Sequence, residues 1–170
     1  MVQVSSTVVV SPEWISQRDG SFVTSAGDIT IDKTGALTSW IANGKQMLQA
    51  PLEPYFWQPE NDNQNAAHFA ERTAVWKDAA EKRTVKSVRA EGNQVIADMS
   101  LPTIGADLTI TYTLKADGRI KVDMDYRPTA TNIPLMPKFG MRMRLPKDFT
   151  KIRYYGRGPW ENYPDRKRSA

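Results

Sequence analysis

The sequence predicts an all-β protein built as an antiparallel β-sandwich. Two observations indicate this fold class: many short stretches alternate apolar and polar residues with a period of two, and closely spaced turn signals separate them. A third observation concerns size, because 170 residues with 40% hydrophobic and 25% charged side chains are enough to bury a core within one domain.

The strands follow in chain order from these alternations. In the clearest case every second residue from Ile120 to Tyr126 is apolar, and the residues between them are charged. In the last alternation Phe139, Met141, Met143 and Leu145 are expected to face the core, and Arg142 and Arg144 are expected to face solvent. Strands are expected at 21–25, 28–32, 37–42, 84–90, 94–99, 107–114, 120–126 and 139–145.

One stretch departs from the strand pattern. Residues 66–80 are rich in alanine, a composition that favours one short helical segment.

For the domain organisation, residues 1–20 are expected to form an N-terminal arm or linker, because little there is periodic, and 21–170 a partial β-sandwich domain. The sandwich is expected to stop in mid-domain, since Arg166–Ala170 follows no closing element.

Composition excludes several classes of function. The chain has no cysteine and one histidine, so thiolate chemistry and two-histidine metal sites are excluded, and we expect no metal and no cofactor. The net charge of +4 is too small an excess for a nucleic-acid interface. No run of apolar residues is long enough for a membrane span, and Met1 to Ser6 does not begin a signal peptide.

Two loops combine aromatic rings with carboxylates and amides, the mixture that binds sugars. Ring faces stack on a pyranose, and acid and amide groups bind its hydroxyls. The first loop is 57–65 and the second is 154–166. The same composition also suits ordinary turns, where such side chains satisfy backbone groups, and composition alone favours that structural interpretation.

Paired carboxylates are the residues that glycoside hydrolysis needs. Glu60 with Asp62, and Glu161 with Asp165, are the available pairs, but neither has the strand-end setting of a barrel. We therefore expect no catalytic residue in this chain. His68 has no obvious partner and is expected to be a surface or capping residue.

The second loop carries a resemblance to a known family. The run from Tyr155 to Lys167 reads Tyr-Gly-Arg-Gly-Pro-Trp-Glu-Asn-Tyr-Pro-Asp-Arg-Lys and resembles the signature of the β-galactosidase small-chain domain, the C-terminal domain of large enzymes of glycoside hydrolase family 2. The residues of this signature loop that the resemblance marks as structural are Gly156, Gly158, Pro159, Trp160, Glu161, Asn162, Tyr163, Asp165 and Arg166.

The first loop is similar to the family's Phe-Trp-Arg-Ala-Pro-Thr-Asp-Asn-Asp segment. Trp57, Asp62 and Asn63 fit that pattern, whereas Gln58 and Gln64 depart from it, which suggests a divergent member or a different substrate specificity. The resemblance implies a galactose mutarotase-like supersandwich, of which this chain is the N-terminal half. The residues that it implies at the substrate rim are Trp57, Asp62, Asn63, Asn65 and His68, with Asp62 and Asn63 anchoring the loop by hydrogen bonds.

The resemblance implies an accessory segment of a retaining β-galactosidase, acting on terminal β-D-galactosides. The catalytic glutamates would lie in a separate TIM barrel, and this segment, inactive alone, would shape the rim of the active site and stabilise the multidomain enzyme. Its expected partners are the barrel, the remaining domains, the β-galactoside and a possible second copy of the chain. The alternatives are a non-catalytic carbohydrate-binding module and a purely structural domain. The compartment, bacterial cytoplasm or periplasm, stays open.

Overall fold

The computed structural model describes residues 13–151, 153 and 155, which form two antiparallel β-sheets and a short helical segment. The predicted all-β class is confirmed. The strands are β1 (Trp14–Ser16), β2 (Phe22–Thr24), β3 (Ile29–Ile31), β4 (Leu37–Ala42), β5 (Lys45–Gln46), β6 (Ala50–Tyr55), β7 (Thr84–Glu91), β8 (Gln94–Leu101), β9 (Ala106–Leu114), β10 (Ile120–Pro128) and β11 (Gly140–Arg144).

The two sheets differ in strand order. The first has the order β1-β2-β3-β4-β6-β11, with β5 paired to β4, and the second has the order β10-β9-β8-β7. Between β6 and β7 the chain forms α1 (Asp62–Ala66), α2 (Phe69–Arg72) and a 3-10 turn (Ala74–Trp76). This helical segment is the only described connection with helices, and it joins the first sheet to the second.

The core lies on the inner face of the second sheet. Along β8 and β9 every second residue is buried, and the buried sets face each other across the pair, with Ala97 opposite Ile110 and Met99 opposite Leu108. This is the period of two that the sequence predicts for a sheet with one face covered. From the first sheet, Ile29 and other apolar residues enter the same core cluster.

Within the described part of the chain, two side-chain hydrogen bonds connect the sheets. The Tyr112 hydroxyl on β9 is buried and donates to the carbonyl oxygen of Gly35 in the β3–β4 turn at 2.9 Å. The indole Nε1 of Trp14 on β1 donates to the carbonyl of Asn93 in the β7–β8 turn at 3.1 Å. Burial raises the pKa of Tyr112 above its ordinary value, because the ionised phenolate would lose its hydration.

The Tyr112–Gly35 bond predicts a pH-dependent stability. Because the folded pKa of Tyr112 is raised, the unfolded chain releases this proton first, so the free energy of unfolding falls as the pH rises above about 10. Tyr112→Phe removes this component and lowers the free energy of unfolding at pH 7 by about 1–3 kcal/mol, since the Gly35 carbonyl loses its donor. Urea unfolding of both proteins between neutral and alkaline pH measures both effects. If the free energy of unfolding falls equally steeply with pH in the two proteins above about 10, the pH-dependent contribution of Tyr112 is contradicted.

Three parts of the fold differ from the sequence expectation. Trp14 is buried and β1 pairs with β2, so the sheet begins inside the stretch predicted as an arm or linker. β6 was not predicted, because Pro51 and Pro54 are unusual in a strand with neighbours on both sides. Helical structure begins at Asp62, before the predicted 66–80 segment, and comes in three short pieces.

The orientation predicted for the last strand is also not met. Phe139, Met143 and Leu145 were expected to face the core, but they are 51%, 49% and 38% exposed. Of the predicted apolar set, Met141 packs against the core cluster. The alternation predicted the strand correctly, but full burial also needs a covering element, and among the described residues these side chains are only partly covered, Phe139 by stacking on Phe56.

Candidate functional site

The helical segment between β6 and β7 is anchored by two buried aromatic rings. Phe56, directly after β6, and Trp76, in the 3-10 turn, are each 1% exposed, and their ring centroids lie 5.7 Å apart. Trp76 also lies 5.9 Å from the ring of Tyr126 on β10, and its Nε1 donates to the carbonyl of Pro134 at 3.1 Å. Both ends of the segment are therefore fixed to the core.

The turns between these anchors are shaped by side-chain hydrogen bonds. The Asn61 side chain accepts from Gln64 N at 2.9 Å, and the Gln64 side chain accepts from Asn61 N at 3.1 Å, which is a capping box at the start of α1. The Glu60 carboxylate accepts from Ala70 N in α2. Glu60, Asn61 and Gln64 therefore hold the two helices in place.

The polar rim, defined as Asp62, Asn63, Asn65 and His68, lies on the outside of this segment. All four side chains are exposed. His68 adopts a left-handed conformation with φ of 52°, and its Nδ1 lies 3.5 Å from a carboxylate oxygen of Glu71. The sequence predicted these residues as one site, and the structure places them on one short stretch with their polar groups open to solvent.

Trp57 differs from the polar rim in its burial. Its side chain is half-buried and packs against the core cluster. A ring that packs on the core has less face available for stacking on a sugar than an exposed ring. Trp57 thus contributes to the base of the segment.

Asp62 and Asn63 were expected to anchor this loop, but among the described residues the hydrogen bonds that hold it come from other side chains. Neither side chain makes a hydrogen bond to another described residue, whereas Glu60, Asn61 and Gln64 do. The spacing Asn-x-x-Gln before an alanine-rich stretch is the sequence signal that would have identified the cap. Glu60 is thus part of the framework of the loop, because its carboxylate accepts from a backbone amide.

A separate cleft of about 460 Å³ lies where β6, β11 and the start of β7 meet. The cleft is lined by Glu53 and Glu81 and by Arg83 and Arg142, so its formal charges balance. Glu53 lies 3.5 Å from Arg83 and 4.0 Å from Arg142. Within residues 13–151, no group of three or more His, Asp or Glu side chains is placed to hold a metal ion. The signature loop, from Gly156 to Arg166, lies outside the described residues.

The fold and the polar rim define a β-sandwich domain in which an exposed polar segment connects the last strand before it, in the first sheet, to the first strand after it, in the second sheet. None of the described helices is long and apolar enough to cross a membrane. The family model for the β-galactosidase small chain matches residues 25–170. The chain therefore belongs to the β-galactosidase small-chain family, as its signature predicted.

Three relatives illustrate this membership. The β-galactosidase of Lactobacillus delbrueckii subsp. bulgaricus is 36% identical over 128 residues, which is 72% of this chain and 13% of that protein. The β-galactosidase of Priestia megaterium is 30% identical over 81% of this chain and 14% of that protein. The β-galactosidase small subunit of Latilactobacillus sakei is 26% identical over 79% of this chain and 49% of that protein. The chain thus spans about a seventh of the large relatives and half of the small subunit.

Proposed function

We propose that this chain is an accessory segment of a β-galactosidase and that its polar rim borders the opening where a terminal β-D-galactoside binds. The observation that carries this proposal is the division of side chains within residues 60–68. Glu60, Asn61 and Gln64 make the hydrogen bonds that hold the turns, whereas the four residues of the polar rim extend into solvent. Exposed carboxylate, amide and imidazole groups on a fixed backbone suit the hydroxyls of a sugar.

The catalytic groups are proposed to lie elsewhere in the complete enzyme. A retaining glycosidase needs two carboxyl groups about 5–5.5 Å apart, one as acid/base and one as nucleophile. Glu60 is engaged by Ala70 N, and Glu71 faces His68 at the surface. This chain would therefore orient the substrate and exclude alternative sugars, while a separate barrel domain supplies the retaining chemistry.

The test is a comparison of rim variants in the complete β-galactosidase assembled with this chain. Asn63→Ala and Asn65→Ala are each expected to lower kcat/KM by about fivefold, the loss of one sugar hydrogen bond, with Tm unchanged. Gln49→Ala is the matched control, because it removes an exposed amide outside the helical segment. A fall in Tm without any change in kcat/KM would instead support a purely structural domain.

The isolated chain separates the remaining alternatives. We expect no turnover of a chromogenic β-galactoside and no heat of binding in titrations with galactose and lactose. Binding without turnover would favour a carbohydrate-binding module. Turnover by the chain alone would show that the catalytic carboxylates lie within these 170 residues, which contradicts the proposal.

A further inference from the structure

The second sheet has two edge strands, and β10 is the edge that carries a self-complementary charge pattern, with no neighbouring strand on its outer side among the described residues. The strand order is β10-β9-β8-β7, so one side of β10 is open. Unpaired backbone groups at such an edge are a template for another strand. Pro128, at the end of β10, has no N–H, which is consistent with a position at the edge of a sheet.

The hydrogen-bond alternation determines which residues offer backbone groups to this side. Lys115 N donates to Arg119 O at 2.8 Å at the start of the β9–β10 hairpin, and Thr129 N donates to Gly105 O at 2.9 Å beyond the end of β10. The register between β9 and β10 is continuous, and alternate residues of an antiparallel strand bond to opposite sides. The residues whose N–H and C=O point to the open side are therefore Ile120, Val122, Met124 and Tyr126.

The exposed charges along this strand are opposite in sign at equal distances from Val122. Lys121 and Asp123 flank it directly, Arg119 and Asp125 come next, and Asp117 and Arg127 follow. In one copy these side chains form ion pairs along the strand, such as Lys121 with Asp123 at 2.7 Å. Such exposed pairs are weak, so they can be exchanged for pairs with another strand.

We propose that β10 pairs in antiparallel fashion with β10 of a second copy of this chain, with Val122 opposite Val122 of that copy. Lys121 then lies opposite Asp123, at the non-hydrogen-bonded positions where cross-strand side chains come closest. The twofold symmetry repeats each of the opposite-charge pairs. Two four-stranded sheets become one continuous sheet, and this proposal is independent of the proposed function.

Other registers with the same backbone polarity are disfavoured. Centring on Met124 places Asp123 opposite Asp125 and Lys121 opposite Arg127, so every near pair repels. Centring on Ile120 places Arg119 opposite Lys121. Centring on Tyr126 places Met124 opposite Pro128, whose missing N–H loses a ladder bond. The charges and the proline therefore select Val122.

The apolar side of the same edge supports pairing with a second copy. Met124, Tyr126, Met136 and Phe139 line an open groove of about 360 Å³ beside β10. In the proposed register Ile120 of the second copy lies next to Met124 and covers part of this groove. The pairing thus buries apolar surface that is open in the single copy.

Sedimentation velocity of the 170-residue chain at low salt tests the proposal. We expect a dimer that weakens as salt is added. Lys121→Asp and Asp123→Lys each turn two attractive pairs into repulsive ones and are expected to raise the dimer Kd about tenfold or more. Mixing the two variants restores opposite charges and is expected to give a heterodimer, and the double variant K121D/D123K is expected to dimerise like the parent.

The control is Lys82→Asp, which disrupts an equally exposed ion pair with Asp78 away from β10 and is expected to leave the dimer intact. Circular dichroism verifies that each variant is folded. A monomeric parent chain at low salt would overturn the proposal. Self-association that is insensitive to both charge reversals, or a mixture that stays monomeric, would overturn it as well.

Discussion

Trp76→Ala is expected to lower the free energy of unfolding by about 3–5 kcal/mol, the cost of removing a buried aromatic side chain. The indole is 1% exposed, contacts Phe56 and Tyr126, and donates a hydrogen bond to Pro134. Its loss leaves a cavity where both sheets and the helical segment meet, and it leaves the Pro134 carbonyl without this donor. Urea unfolding followed by circular dichroism measures the change.

The same variant should also loosen the helical segment locally. Trypsin is expected to cleave after Arg72 and Lys77 faster than in the parent chain, because Trp76 anchors the segment at this point. Val75→Ala is the matched control, since Val75 is adjacent and 40% exposed, and its effect should stay within about 0.5 kcal/mol. Similar losses of stability in the two variants would show that Trp76 is not an anchor.

Gly35→Ala is expected to lower the free energy of unfolding by about 2–5 kcal/mol, the sum of backbone strain and overpacking. Gly35 has φ of +76°, and a Cβ there would overlap with Ala97 Cβ and lie 3.0 Å from Met99 Cε on the second sheet. Because the β3–β4 turn inserts against β8, the added methyl group would push the two sheets apart. Thermal and urea unfolding of the variant measure the loss.

Gly27→Ala isolates the backbone contribution. Gly27 has φ of +72°, but no heavy atom lies within 4 Å of the place that an added methyl group would occupy. Only the backbone strain of about 1–2 kcal/mol is therefore expected at this position. Adding Ala97→Gly to Gly35→Ala should recover part of the stability by making room for the methyl group. If Gly27→Ala and Gly35→Ala lower the free energy of unfolding equally, the close contact between the β3–β4 turn and β8 does not contribute to the cost at Gly35.

Strands with a strict period of two were predictable, because their signal is local. The alternation from Ile120 to Tyr126 fixed both the existence of β10 and the face that it turns inward. β6 was missed because its two prolines are untypical of a strand, and because most of its pairing is with β11, which comes from a distant part of the chain. The exposure of Phe139 was unpredictable for a related reason: a pattern marks a side chain as apolar, but not what covers it.

The candidate site was predicted as a set of residues but not as a structure. Composition identified the polar stretch 57–65, and the family resemblance selected Asp62 and Asn63 within it and His68 just beyond it. Which amides hold the turn and which face solvent depends on one hydrogen-bonding geometry, the cap formed by Asn61 with Gln64. Propensity alone cannot distinguish these neighbouring amides, because asparagine suits both caps and exposed turns.

The separation of framework and surface residues in the helical segment has a practical consequence for engineering. Substitutions at Asp62, Asn63 and Asn65 change the outward chemistry, while Glu60 and Gln64 keep the backbone in place. A library randomised at those three exposed positions should therefore contain mostly folded members. Selection from such a library would therefore distinguish its members by how they bind a ligand rather than by whether they fold.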